Sequence, residues 1–91
     1  MELHELKAFV VLADTLSFTK AADRLHIAQP GLSRKIARLE YEIGEPLFER
    51  LPTGVRLTPI GQQFHRDCIF IMHVIDEAVL RAKARASDDG A

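Results

Sequence analysis

The sequence contains one cysteine, Cys68, and no tryptophan, and it has no long apolar run. A single cysteine excludes an internal disulfide framework and a cysteine-cluster metal site, and it favours a reducing compartment. The start of the chain lacks the basic segment and apolar run of a signal peptide. The longest apolar stretch, residues 68–75 interrupted by His73, cannot span the ~30 Å core of a bilayer. We therefore expect a cytoplasmic protein without a membrane segment.

Patterns of catalytic and metal-binding residues are also missing. The four histidines, His4, His26, His65 and His73, have no metal-ligand spacing with one another or with carboxylates. No nucleophile-and-base order, paired-carboxylate motif or glycine-rich phosphate loop occurs. We predict no enzymatic activity, no cofactor and no metal. The histidines are interpreted as surface or partly packed side chains. Cys68 is interpreted as a small core residue in preference to a redox sensor.

Size and charge leave room for a binding function. The 91 residues suffice for one small domain, or for one domain and a long helix. Because a short chain buries a small share of its surface, we expect oligomerisation. The net charge of −1 speaks against a nucleic-acid partner, since phosphate neutralisation dominates such binding. The distribution favours one, because four basic residues and no acidic one lie between Arg24 and Leu39.

Apolar residues at helical spacing predict a mainly α-helical fold. A first helix covers about residues 3–16, and Ser17 is typical of the N-cap of a short second helix. A third helix follows the connector 26–29, with Pro30 at its first position and Gly44 as its C-terminal cap. Two helices joined by a tight connector, the second with a basic outer face, are typical of a helix-turn-helix.

The second half of the chain predicts a wing and a long helix. Residues 47–50 and 55–57 are typical of two short strands around a turn at 52–54, the wing of a winged helix-turn-helix. Thr58 and Pro59 then predict the start of a long helix, with a threonine cap and proline at the first position. We predict a winged helix-turn-helix domain over residues 1–58, a linker and dimerisation helix over 59–86, and a disordered tail over 87–91.

The long helix carries an apolar seam whose spacings alternate between four and three, typical of a coiled coil. The seam consists of Phe64, Cys68, Ile71, Ile75, Ala78 and Ala82. One small domain cannot cover this seam and the further apolar side chains beside it. The sequence therefore predicts that the long helix forms a homodimer.

Several motifs follow one another at characteristic spacing. They are Phe18-Thr-Lys-Ala-Ala-Asp-Arg-Leu-His, Ala28-Gln-Pro-Gly-Leu-Ser-Arg, Leu39-Glu, Gly44, Leu47-Phe-Glu-Arg and Leu57-Thr-Pro-Ile-Gly. Together they resemble the amino-terminal domain of LysR-type transcriptional regulators, over about residues 1–86. Members of that bacterial family are much longer and carry a carboxy-terminal effector-binding domain, to which nothing here corresponds. The resemblance implies an excised DNA-binding domain, which we favour, or a truncated gene product.

The resemblance also implies which residues contact DNA. Bases are read at the start of the third helix by Gln29, Pro30, Ser33 and Arg34. The helical pattern agrees, because Leu32 and Ile36 point inward and leave that surface outside. The candidates for the DNA backbone are Ser17, Thr19, Lys35, Arg38 and Arg50, with Ser17 equally interpreted as a helix cap. In the wing the candidates are Thr53, where many relatives carry a basic residue, and Arg56.

Two functional hypotheses follow. The first is sequence-specific binding of double-stranded DNA by a homodimeric transcriptional regulator, whose two recognition helices enter successive major grooves of a two-fold operator. A small-molecule effector would act only through the missing domain, and higher oligomers would belong to the full-length protein. The alternative is a winged-helix module for protein–protein interaction, which fits a nearly neutral charge. A dependence of DNA affinity on salt distinguishes the two hypotheses.

Overall fold

The computed structural model describes residues 1–89, which form four helices and one two-stranded sheet. The elements are α1 (Leu3–Thr15), α2 (Phe18–Leu25), α3 (Gln29–Ile43), β1 (Phe48–Leu51), β2 (Gly54–Leu57) and α4 (Pro59–Asp89). The first three helices and the two strands make up the part of the molecule that we call the head. This arrangement confirms the predicted winged helix-turn-helix followed by a long helix.

Local capping sets the ends of the first three helices. Ser17 is the N-cap of α2, and its Oγ accepts the backbone N–H of Lys20 at 3.2 Å. The α3 helix begins at Gln29, so Pro30 occupies its second position and not the predicted first. It ends at Gly44, whose φ of 85° is the left-handed conformation that glycine adopts without strain. Because α2 ends at Leu25 and α3 begins at Gln29, the connector between them is tight, as a helix-turn-helix requires.

The core of the head lies where α1, α2 and α3 meet the start of the wing. Its largest fully buried side chains are Phe9, Leu12, Leu32, Leu39, Leu47, Glu5 and Cys68. The Phe9 ring lies 5.3 Å from that of Phe48 and 5.1 Å from that of Phe64, between centroids. Phe9 thus joins α1 to both the wing and α4. Removing such a buried ring costs about 3–5 kcal/mol of stability.

The wing is an antiparallel hairpin that is fixed to α3 by a carboxylate. Phe48 pairs with Leu57 and Leu51 with Gly54, one residue beyond the predicted strand bounds. Leu47, predicted to start the first strand, lies before it and is fully buried. The Oε2 atom of Glu40 accepts the backbone N–H of Leu47 at 2.7 Å, which satisfies a donor that burial removes from water.

The α4 helix starts against the head and then extends away from it. Thr58 Oγ1 accepts the Gly61 N–H at 3.0 Å and donates to the Pro46 carbonyl at 2.8 Å. A Cβ added at Gly61 would collide with the carbonyl of Leu47, so glycine permits this close approach. No helix within residues 1–89 is apolar over a length that could cross a membrane.

The structure differs from the sequence prediction at two places in α4. Phe64 packs on the core of its own head and Cys68 is 0% exposed within the single chain, so neither lies on a free seam. The helix also continues to Asp89, three residues beyond the predicted end at residue 86. Alanine, lysine and arginine at 81–86 favour a helix, and no glycine or proline occurs between residues 62 and 89. The last two residues of the predicted tail, 90 and 91, lie outside the described part of the chain.

Candidate nucleic-acid interface

The α3 helix divides into a buried side and an exposed side. Leu32, Ile36 and Leu39 are buried in the head. Gln29, Pro30 and Arg34 are exposed and Ser33 is half-buried, all within the first two turns. These four are the side chains predicted to read bases. The structure brings these four side chains together on one surface, which we call the recognition surface.

Gln29 is oriented by α2. Its Nε2 donates a hydrogen bond to Thr19 Oγ1 at 3.1 Å, across the helix-turn-helix. Both side chains are exposed, so the bond is accessible from solvent. Sequence reasoning named the two residues for different tasks and missed their contact, because they are ten positions apart on separate helices. The bond uses the side-chain nitrogen of Gln29, so Thr19 does not occupy the side-chain oxygen, which can still accept a hydrogen bond.

Arg50 and Arg56 have different surroundings in the wing. The Arg50 guanidinium carbon lies 4.4 Å from the centroid of the Phe18 ring, so this cation stacks on the start of α2. Arg56 instead pairs through Nε with the Glu49 carboxylate directly opposite it on the hairpin. Thr53 is exposed in the turn between the strands. The wing therefore offers one cation that stacks on α2, one cation already paired with an acid, and an uncharged tip.

The other two cations of α3 contact α1. Lys35 Nζ lies 2.8 Å from Nδ1 of His4, and Arg38 Nη1 lies 3.9 Å from Oε2 of Glu5. Glu5 is only 2% exposed, and its Oε1 accepts the Glu2 N–H at 2.8 Å. That backbone hydrogen bond lowers the pKa of Glu5, against the effect of burial, and the Arg38 charge lowers it further. Glu5 is therefore an anion that faces Arg38.

His4 is the residue on this surface that sequence reasoning did not single out. The sequence predicts a surface or partly packed side chain, and the structure places it beside three cations of α3. Lys35 and His4 are 31 positions apart, so no local spacing in the sequence announces the contact.

Cys68 is chemically quiet. Burial raises the pKa of its thiol to about 11, with Asp67 adding to the shift. The thiol is therefore protonated at neutral pH, which agrees with a small core residue. Within residues 1–89, no three histidine, cysteine, aspartate or glutamate side chains are grouped as a metal site.

A helix-turn-helix with an exposed polar surface on its second helix, followed by a two-stranded wing, defines a winged helix-turn-helix domain. Residues 3–62 match the family described as bacterial regulatory helix-turn-helix protein, lysR family. The chain belongs to this LysR family of bacterial regulators, as the motifs predicted. The matched region is the family's helix-turn-helix, the part that binds DNA in a sequence-specific manner.

The chain is similar to named regulators over almost all of its length. It is 46% identical over 86 residues to the HTH-type transcriptional regulator BudR of Klebsiella aerogenes, covering 94% of this chain and 60% of that protein. It is 46% identical over 87 residues to BenM of Acinetobacter baylyi, covering 96% of this chain and 29% of BenM. The chain thus spans less than two thirds of either relative.

Solved structures share the fold. The crystal structure of the BenM DBD with catB site 1 DNA superposes with a TM-score of 0.92 at 46% identity, covering 96% of this chain and 98% of that one. Full-length CbnR complexed with its target DNA gives a TM-score of 0.85 at 35% identity, covering 94% of this chain and 30% of CbnR.

Proposed function

We propose that the chain binds operator DNA as a homodimer, with the recognition surface of α3 in the major groove and α4 joining the two copies. The observation that carries the proposal is the recognition surface itself. Four side chains suited to base edges lie together in the first two turns of α3, and the opposite side of the same helix is held in the core. The start of such a helix is the part that enters the major groove.

Each side chain of the recognition surface has a defined chemistry toward bases. Arg34 can donate two hydrogen bonds to the O6 and N7 atoms of guanine, and Gln29 can pair with adenine. Ser33 donates to or accepts from several bases, and Pro30 offers apolar contact to a thymine methyl group. Arg34 and Gln29 therefore supply most of the proposed specificity.

The backbone contacts fix the position of α3 along the groove. We assign them to Ser17, Thr19, Lys35, Arg38 and Arg50. Ser17 and Thr19 lie at the start of α2, where unpaired backbone N–H groups attract a phosphate, and Arg50 stacks beside them on Phe18. A contact from Arg56 in the wing competes with its pairing to Glu49, and Thr53 carries no charge. We therefore propose that the wing contributes weakly.

The dimer face is what remains exposed on α4 after the head has covered Phe64 and Cys68. Ile71 is 40% exposed and Val74 44% exposed, and both are apolar. With Ala78 they follow spacings of three and four, which place them on one side of the helix. Ala82, four residues beyond Ala78, is exposed on the same side, and Ile75 is half-buried beside it. We call Ile71, Val74, Ala78 and Ala82 the free face of α4.

Selection of bound sites from random duplex DNA tests the proposal. We expect an enriched motif with two-fold symmetry and half-sites about one helical turn, ~34 Å, or a multiple of it apart. Failure to enrich any motif, together with binding that does not weaken as salt increases, would instead indicate a protein-interaction module.

A further inference from the structure

A basic notch lies between the first turn of α1 and one side of α3. It has a volume of about 340 Å³ and is lined by His4, Gly31, Arg34, Lys35 and Arg38. Gly31 leaves it open, because a Cβ there would meet only Arg34 Nη2, at 3.9 Å. Three cationic side chains and one imidazole therefore surround a space that no side chain fills.

The contact between His4 and Lys35 fixes the form of the imidazole. An ammonium group can only donate, so Lys35 Nζ, at 2.8 Å, donates to an unprotonated Nδ1. With Nδ1 accepting, the ring hydrogen lies on Nε2. Nε2–H is a second donor beside the lysine, and the two side chains hold each other in place.

The charges around His4 are mostly positive. From α3 it meets Arg34, Lys35 and Arg38, and Lys7 of α1 lines the adjoining cavity. The residues of α2 and of the connector that line that cavity are Leu25 and Ile27, and both are apolar. The acid facing this group is Glu5, which is paired with Arg38. The excess of cations favours an anionic ligand.

We propose that the basic notch binds one backbone phosphate of the DNA, and that His4 contacts that phosphate from outside the helix-turn-helix. The proposal rests on the proposed function, because Arg34 belongs both to the notch and to the recognition surface. When Arg34 contacts a base edge in the major groove, the basic notch lies at the margin of that groove, beside the phosphates of the DNA backbone. A phosphate accepts from Lys35 Nζ, Arg38 and His4 Nε2 together.

Salt-dependent titrations of the selected operator and a base-scrambled duplex test the phosphate contact. We expect His4→Ala and Lys35→Ala each to lose about three- to tenfold affinity on both duplexes alike. Lys35→Ala should also reduce the slope of log K against log salt by about 0.9. Lys35→Gln keeps the side-chain stem and should behave like Lys35→Ala. The matched control is Lys83→Ala, which removes an exposed cation near the end of α4 and should leave affinity and slope near wild type.

Normal affinity of His4→Ala on both duplexes, or a loss on the operator alone, would overturn the notch proposal. Failure of the proposed function would give a different result. The wild-type protein would then bind the operator and the scrambled duplex with equal affinity, and so would the variants at position 4.

Discussion

Polar side chains on the proposed DNA-binding side of this domain are held by partners from other elements. Gln29 is hydrogen-bonded to Thr19, Lys35 contacts His4, and Arg50 lies on Phe18. Each immobilised side chain costs about 0.5–1.5 kcal/mol on binding when it starts out free. Contacts that already restrict these side chains reduce that cost. At the residue scale, the proposed interface is thus partly ordered in the free domain.

Cys68 yields a prediction about pH. Its folded-state pKa of about 11 lies above the ordinary 9.0, so the unfolded thiol loses its proton first as pH rises. The contribution of Cys68 to stability is fully present below pH 9 and falls between about pH 9 and 11. Urea unfolding of wild type and Cys68→Ala at pH 8 and 10.5 measures it. The gap in free energy of unfolding should narrow at pH 10.5, and an unchanged gap would contradict the assigned burial.

At the scale of elements, the junction between α4 and the head decides which part of the long helix is free. Gly61 lies against the Leu47 carbonyl, and His65 Nε2 lies 3.2 Å from the Asp14 carboxylate of α1. Together with the Phe9–Phe64 contact, these interactions cover the first three turns of α4. The rest of the helix extends beyond the head and exposes apolar side chains.

Replacing Gly61 by alanine tests this junction. The added Cβ collides with backbone, which cannot give way as a flexible side chain would. We expect Gly61→Ala to lower the free energy of unfolding by about 1–3 kcal/mol, as overpacking does. Gly31→Ala is the matched control, since its added Cβ meets only the flexible Arg34 side chain at 3.9 Å and the change should be neutral or slightly stabilising. Thermal or urea unfolding of both variants gives the comparison, and equal stability would show that α4 does not approach Leu47 so closely.

The contrast between α3 and α4 shows how far the sequence can predict this molecule. On α3, apolar spacing was sufficient, because Leu32 and Ile36 face the one core and leave Gln29 and Arg34 outside. On α4, the same spacing placed Phe64, Cys68 and Ile71 on one seam. Spacing identifies side chains that share a face, but what covers that face depends on where the helix crosses the head. The His4–Lys35 contact was unpredictable for the same reason.

At the scale of the whole molecule, the head is too small to cover α4. The described chain measures 57 × 25 × 20 Å, and the 31 residues of α4 account for the long dimension. A helix of that length is about 46 Å long at 1.5 Å per residue. Two copies joined along their free faces would hold two recognition helices at a fixed separation. We therefore expect a change that prevents dimer formation to lower operator affinity as well.

A charge on the free face tests this coupling. Ile71→Asp would bury an unpaired carboxylate in the dimer, which costs about 3–5 kcal/mol. The variant should sediment as a monomer or aggregate, and it should lose operator affinity although the recognition surface is intact.

The matched control is Ile69→Asp. Ile69 is 47% exposed, close to the 40% of Ile71, but it lies about 160° away around the helix. This variant should remain a dimer with normal affinity. Sedimentation equilibrium and operator titration measure both variants, and a dimeric Ile71→Asp with normal affinity would show that copies associate elsewhere.

The most direct test of sequence reading by α3 is the affinity of Arg34 variants for the selected operator and for a scrambled duplex at the same salt concentration. Arg34→Ala should lose about 1–3 kcal/mol on the operator beyond any loss on scrambled DNA. Arg34→Lys keeps the charge but not the two-pronged donor, so it should bind scrambled DNA normally and still lose operator affinity. Equal losses of Arg34→Ala on both duplexes, with full operator affinity for Arg34→Lys, would contradict the assignment of Arg34 as a base-reading residue.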